Sequence, residues 1–394
     1  MQNKILLTLL ALFCFILIVD PANTLLGVKY IVFVLLFGVC IANKRNIHYR
    51  YLIFFVLIYL VQAFSLTVGY SSNKYIYDDD FTLYMIFTYI PLILLPWVDF
   101  LPFYKYVRFP IIVISIITII VSVAMIFNKE LELMLYSFFS ADTGLMQISH
   151  RSYAGIDFTS AYYRTIPIAI IPFAVIVYDI FIYRNKTLKN LATLVLLGVA
   201  LLFAGTRACM LSTVIVILMI YMIRLYNSKA GRIILPLVLI LVSVGIIFVM
   251  SVLLSDATEP SKVVKFGHLH SYAIFFQNNI DALLFGQGPG GMFYSMGFGE
   301  MTSQTEWTLI EFVRMYGILG TFILLVVYLY PLIELVSKRH LLPYALPISI
   351  GYMFYFMIGC TNPLLTSSTG MLAILIVYSY VRQSKLYTNS NCAI

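Results

Sequence analysis

Residues 110–127 read PIIVISIITIIVSVAMIF, a run with no charged side chain. Wound as an α-helix at about 1.5 Å per residue, such a run covers most of the ~30 Å hydrocarbon layer of a bilayer. Inside lipid every backbone N–H and C=O must find its partner within the segment, so a helix is the expected form. Comparable apolar runs occupy 5–19, 25–42, 51–69, 81–98, 165–183, 188–204, 208–225, 232–254, 315–335, 341–360 and 364–381. Hydrophobic residues make up 62% of the chain and charged residues 11%, with a mean hydropathy of +0.96. That leaves too little polar surface to cover a soluble globule of 394 residues. The expectation is an all-α integral membrane protein of about twelve transmembrane helices, a single polytopic domain over 1–394. Met1, Gln2, Asn3 and Lys4 precede the first run and no small-residue cleavage site follows it, so it reads as a retained membrane anchor.

Basic residues set the expected orientation, because short cytoplasmic loops accumulate Lys and Arg. With the N-terminus inside, the inner segments carry 16 of the 25 Lys and Arg, among them Lys44, Arg45, Arg50, Lys105, Arg184 and Lys338. Only Asp99, Asp179 and Glu334 of the 17 acidic residues fall on that side. The net charge of +8 is therefore a topology signal and not a nucleic-acid one. Both termini are expected in the cytoplasm. Two long polar segments, 128–164 and 255–314, are expected outside, the second carrying an amphipathic helix. Cys14, Cys40, Cys209 and Cys360 lie in or beside apolar runs and Cys392 lies in the tail, so no external pair suggests a disulfide. Metal-ligand spacing is absent as well, apart from a run of carboxylates, Asp78, Asp79 and Asp80, read first as a solvated acidic loop.

Unusual residues concentrate in the two external segments and at the outer mouths of the runs, whereas transporters usually place their chemistry at mid-membrane. In SHRSYAGIDFTSAYYRTIP, Arg151 and Arg164 stand beside Tyr153, Tyr162 and Tyr163. Arg207, in AGTRACM, lies in a tight turn between two apolar runs, where a charge needs a partner or water. It reads either as a snorkelling anchor or as an anion-binding guanidinium suited to phosphate oxygens. In the second segment His268 and His270 are two apart, so they share a face only on an extended chain. Tyr272 and its aromatic neighbours, interleaved with Gln277, Asn278 and Asn279, suit sugar rings or a membrane-interface belt. From Thr305, a candidate N-cap, the pattern turns helical and brings Glu306, Glu311 and Arg314 within an arc of about 140°. Glu311 and Arg314 can pair there, and Glu306 is a candidate base or sugar ligand. Gly286, Gly288 and Gly291 in FGQGPGG match the spacing G-x-G-x-x-G, but no α/β unit surrounds them and Pro289 lacks an N–H. The stretch is expected to be a flexible bend near the glycan site.

Taken together, GTR at 205–207, the R-x-x-x-G of Arg151 to Gly155, LLFGQGPG, TEWTLIEFVRMYGILGT and NPLLTSSTG resemble the O-antigen polymerase and O-antigen ligase superfamily. Within it the chain is most similar to the Wzy-type polymerases of Gram-negative bacteria. The resemblance implies a GT-C-like glycosyltransferase of the bacterial inner membrane, facing the periplasm, that joins undecaprenyl-diphosphate-linked repeat units into polysaccharide. The implied partners are the lipid-linked glycan donor and acceptor, membrane lipid and a chain-length regulator protein. No cofactor, metal or nucleic acid is implied, because the lipid diphosphate is already an activated leaving group. Ligases of the superfamily carry a His-Asn pair upstream of G-x-x-G-T, where this chain has Glu306 and Trp307 ahead of Gly317, Gly320 and Thr321. That departure favours polymerase over ligase, and a polysaccharide-unit flippase is the alternative from another class. On this reading Glu306 is the base with His268 or His270 as alternates, and Arg207 and Arg151 serve the diphosphate, with Arg164 and Arg314 as helpers. Arg151, Arg164, Arg314, Tyr272 and Gly288 contribute to substrate binding.

Overall fold

The computed structural model describes residues 2–42, 49–153, 156–226 and 260–382. It is a predominantly helical bundle. Helices α1 (Gln2–Val19), α2 (Lys29–Ala42), α3 (Tyr49–Ser71) and α4 (Asp79–Thr88) lead into a 3-10 turn at Ile90–Trp97. Then come α5 (Phe103–Phe127), the short α6 (Lys129–Tyr136), α7 (Ile170–Phe181), α8 (Leu188–Phe203) and α9 (Arg207–Tyr226). The chain continues with α10 (Pro260–Asn278), α11 (Ile280–Phe285), α12 (Thr308–Ser337), α13 (Ala345–Cys360) and α14 (Ser368–Arg382). Among the described residues, five helices are long and apolar enough to cross a membrane: Tyr49–Ser71, Asp79–Trp97, Phe103–Phe127, Arg207–Tyr226 and Thr308–Ser337. Six shorter apolar helices accompany them. The apolar run 232–254 lies outside the described residues.

Local chemistry fixes the helix ends. Asn128 caps α6 by accepting from the N–H groups of Glu130 and Leu131, with Glu130 and Glu132 in the first turn where the helix dipole favours acid. Thr187 caps α8, and Asp78 caps α4 by accepting from Phe81 N–H. In IPLILLPW, Pro91 and Pro96 each remove an N–H, and the backbone there tightens to 3-10 geometry. At the centre, α1 packs on α2 and α5, α7 on α13, and α12 on α3 and α13.

Two small two-stranded hairpins accompany the helical bundle. β1 (Met146–Tyr153) pairs antiparallel with β2 (Ile156–Tyr163), Met146 opposite Tyr163 and Arg151 opposite Phe158. Tyr162, Tyr163 and Ala161 are buried against the bundle, so this part of segment 128–164 is a packed cover and not a free loop. Gly155 lies outside the described residues. β3 (Phe293–Ser295) pairs with β4 (Glu300–Thr302), and the described part of segment 255–314 is otherwise helical. The helix expected from Thr305 starts at Thr308 and has no side-chain cap. Thr305 Oγ1 faces Tyr272 Oη at 2.6 Å instead.

FGQGPGG is not a flexible bend. Helix α12 breaks at Gly317, whose φ of 68° and ψ of 174° are non-helical, and the break leaves two carbonyls of the preceding turn without intrahelical donors. Gln287 and Gly288 supply those donors, their N–H groups reaching Arg314 O and Met315 O at 2.9 Å each. On the other side Asp78 N–H donates to Gly290 O, Met292 N–H to Ile76 O, and Tyr77 Oη to Gln287 O. The stretch is a buried backbone stitch between α3, α4 and α12. Its glycines are required by close approach: a Cβ on Gly286 would stand 2.3 Å from Met315 O, and one on Gly317 2.2 Å from Leu284 O.

Loops gather at two ends of the bundle. One end joins residues 20–28, 72–78, 143–153, 156–165, 260–308 and 361–367, through bonds such as Thr24 Oγ1 to Thr143 O, Ser303 Oγ to Asp78 Oδ2 and Thr308 Oγ1 to Asn362 O. The opposite end holds Arg50 with Tyr330, Tyr51 with Glu334 and Arg382 with Asp99.

Candidate functional site

The chemistry-bearing residues of the sequence gather at the first of these ends. Two arrangements there have different character, one closed and one open.

The closed one is built around Arg314. Its guanidinium is fully buried, with Nε 2.9 Å and Nη2 2.5 Å from Glu311 Oε2. Nη2 also donates to Ser303 O and Nη1 to Gly291 O, while the ring of Phe293 lies 4.5 Å beneath the guanidinium carbon. Glu311 Oε1 accepts from Tyr272 Oη and from the N–H of Thr305. Every oxygen of the carboxylate and each nitrogen of the guanidinium thus has a protein partner. A buried ion pair is tolerated only when its remaining bonds are satisfied in this way. Burial, and after it the Glu311 charge, pushes the Tyr272 phenol far up, so it stays a neutral donor. Arg314, Tyr272 and Gly288 were expected to meet substrate. Their polar groups are instead consumed in tying α10, the FGQGPGG stitch, β4 and α12 to one another.

His268 belongs to this closed part. Helix α10 places it and His270 on different faces: His268 is buried and His270 is exposed. His268 Nδ1 lies 2.7 Å from Ser295 Oγ, and Phe298 packs edge-on to the ring at 4.5 Å. The approach is tight because Gly267 and Gly297 face each other, with room for no Cβ between. Desolvation lowers the imidazole pKa and the Glu306 and Glu311 charges oppose it.

The open arrangement centres on Glu306, which sits in the connection between β4 and α12, just outside the helix. Its carboxylate is half-exposed and meets Lys265 Nζ at 3.1 Å. The loop that carries it is pinned on both sides. Gln304 Nε2 donates to Thr366 Oγ1, Trp307 Nε1 to Lys265 O, and Thr308 Oγ1 to Asn362 O. A carboxylate on a fixed loop with one face open is geometrically suited to meet a ligand.

Burial raises the Tyr162 phenol well above its ordinary value, and the charges acting on it next are those of Cys209, Tyr355, Arg164 and Glu306. Arg164 is exposed, close beside Gly144, and its charge also bears on the Tyr84 phenol. Arg207 opens α9 two residues before Cys209, after Gly205 at φ 68°, and is half-buried. The backbone of Arg151 lies in β1, and its side chain is outside the described residues. Asp78 is committed as the α4 cap and as acceptor from Ser303. Among the described residues no three of His, Cys, Asp and Glu converge as metal ligands.

Lys265 and the loop anchors Thr366 and Asn362 were missed by sequence reasoning. Lys265 had a signal available, standing one helical turn before His268. Thr366 and Asn362 lay within the NPLLTSSTG motif, but nothing local assigned them to the loop that carries Glu306, which they reach only through the packing of α12 and α14.

Neither a protein-family profile nor a curated protein matches the chain.

Proposed function

We propose that the chain is a polytopic glycosyltransferase of the bacterial inner membrane, an O-antigen polymerase that joins undecaprenyl-diphosphate-linked repeat units on the periplasmic side. On this reading about twelve helices cross the membrane, both termini are cytoplasmic, and the end carrying Glu306 faces the periplasm. The observation that carries the proposal is an open carboxylate on a pinned loop, Glu306, at the same end of the bundle as Arg164 and the start of α9. One pole offers an acceptor for a proton and the other offers cations for phosphate. The motif resemblance supplies the substrate class.

In the proposed reaction the hydroxyl at the non-reducing end of the acceptor repeat unit attacks the anomeric carbon of the donor glycan. The bond from that carbon to the donor's diphosphate oxygen breaks, and a glycosidic bond to the acceptor oxygen forms. The hydroxyl proton passes to Glu306, and the electron pair of the broken bond leaves on the lipid diphosphate. Arg207 and Arg164 bind the diphosphate and steady the charge that grows on it. Lys265 positions the Glu306 carboxylate.

Glycan analysis of a deletion strain tests the class of activity. A polymerase deletion retains a single capped repeat unit, a flippase deletion displays none, and a ligase deletion accumulates polymer on its lipid carrier. The first pattern is expected, and either of the others overturns the proposal.

A further inference from the structure

A cavity of about 450 Å³ opens between α1, α2 and α4, a size within the ~300–1,000 Å³ range of ligand pockets. Phe13, Phe33, Phe87 and Pro91 make its walls apolar, and Lys29, Tyr84 and Asp80 also line it. Lys29 is the first residue of α2, at the loop end of the bundle, held by a 2.6 Å bond from Nζ to Pro21 O. No ion pair to Lys29 occurs among the described residues, and the nearby Asp20 carboxylate is taken up by the N–H groups of Thr24, Leu25 and Leu26. A half-buried ammonium at the positive end of a helix dipole favours an anion in front of it. The Asp80 side is exposed, so that carboxylate keeps its hydration.

The cavity adjoins the candidate site. Tyr84, on its wall, donates from Oη to Thr366 O, and Thr366 Oγ1 accepts from Gln304, two residues from Glu306. The loop that leads into Lys29 is bonded to Thr143 through Thr24 Oγ1 at 2.9 Å, and the Arg164 guanidinium lies beside the neighbouring Gly144. An apolar slot whose loop-end rim carries one cation and adjoins a second matches an amphiphile with a long hydrocarbon tail and a phosphorylated head.

We propose that this cavity seats the first isoprene units of a lipid-linked substrate's polyprenyl tail, with its diphosphate held between Lys29 and Arg164. The assignment rests on the glycosyltransferase reading and adds to it a tail-binding subsite and a diphosphate ligand, Lys29, that the motifs do not include.

Photocrosslinking in nanodiscs of phosphatidylethanolamine and phosphatidylglycerol tests it. The full chain carries p-benzoylphenylalanine in place of Val34, which lines the cavity, or in place of Phe322, exposed on α12, as the control. Radiolabelled undecaprenyl diphosphate is the probe. Labelling is expected at position 34 and not at 322, and Lys29→Gln is expected to weaken it about tenfold, the loss of one charge-assisted phosphate contact. Placing the photoprobe at Phe87 repeats the test if the Val34 variant does not fold. Equal labelling at 34 and 322, adducts with phospholipid alone, or labelling unchanged by Lys29→Gln overturns the subsite. Polymerisation of lipid-linked repeat units is followed in the same preparation. Labelling without polymer refutes the glycosyltransferase reading and keeps the subsite, whereas polymer without labelling does the reverse.

Discussion

Arg314→Lys separates a structural role for the buried pair from a substrate-binding one. Lysine keeps the charge but has a single nitrogen, which cannot reach Glu311 Oε2, Gly291 O and Ser303 O together. The change leaves Ser303 O or Glu311 Oε2 without a donor, worth about 1–3 kcal/mol, reduces Gly291 O to its bond from Gln287 Nε2, and forfeits the guanidinium stacking on Phe293. A loss of about 3–5 kcal/mol is expected, in the range for breaking a buried ion pair. Glu311→Gln is expected to cost a similar amount, because it strands the Arg314 charge in the interior. A thiol-reactive dye reports the melting of the detergent-solubilised protein, since Cys14, Cys40 and Cys209 are buried and become accessible only on unfolding. Both variants should melt several degrees lower than the parent. Unchanged melting combined with abolished glycan transfer would refute the reasoning and return Arg314 to the substrate.

Three further outcomes follow from the same geometry. Gly317→Ala should lower the melting temperature by as much as the Arg314 variant, because a Cβ there collides with Leu284 O and the φ of 68° disfavours any L side chain. Lys74→Ala should leave melting within about 0.5 kcal/mol of the parent, the Lys74–Asp281 pair being largely exposed. His268 has a folded-state pKa lowered below its ordinary 6.5, so the folded protein binds fewer protons than the unfolded chain as pH falls below that value. Stability is therefore full above about pH 6.5 and declines on acidification through the folded pKa. A pH series of melting curves should show that decline, reduced in His268→Gln.

Much of the architecture was legible because length and hydropathy alone determine which segments suit a bilayer. The runs at 51–69, 110–127 and 188–204 coincide with α3, α5 and α8 to within a few residues, apart from the seven-residue N-terminal extension of α5. The external segments were harder, since their folding depends on partners far away in sequence. Nothing local distinguishes a loop glycine from one pressed against a broken helix. The role of FGQGPGG emerged only with the carbonyls of Arg314 and Met315 opposite it. Likewise the i, i+3 spacing of Glu311 and Arg314 announced their pairing, but not that Tyr272, Gly291 and Ser303 would use up the rest of their bonding capacity. Glu306 stayed a candidate for the complementary reason. It lies one step outside α12, where the chain turns, and its carboxylate keeps an open face.

The most direct test of the central claim is reconstitution of the purified chain in liposomes with undecaprenyl-diphosphate-linked repeat units, with products resolved by length. The account predicts a ladder of polymer made by the parent protein. Rates should fall by about 10²–10⁴ in Glu306→Gln, the usual worth of a general base. Arg207→Ala should also lose long polymer, with both variants melting like the parent. A parent protein that makes no polymer, or a Glu306→Gln variant that polymerises at the parental rate, would contradict it.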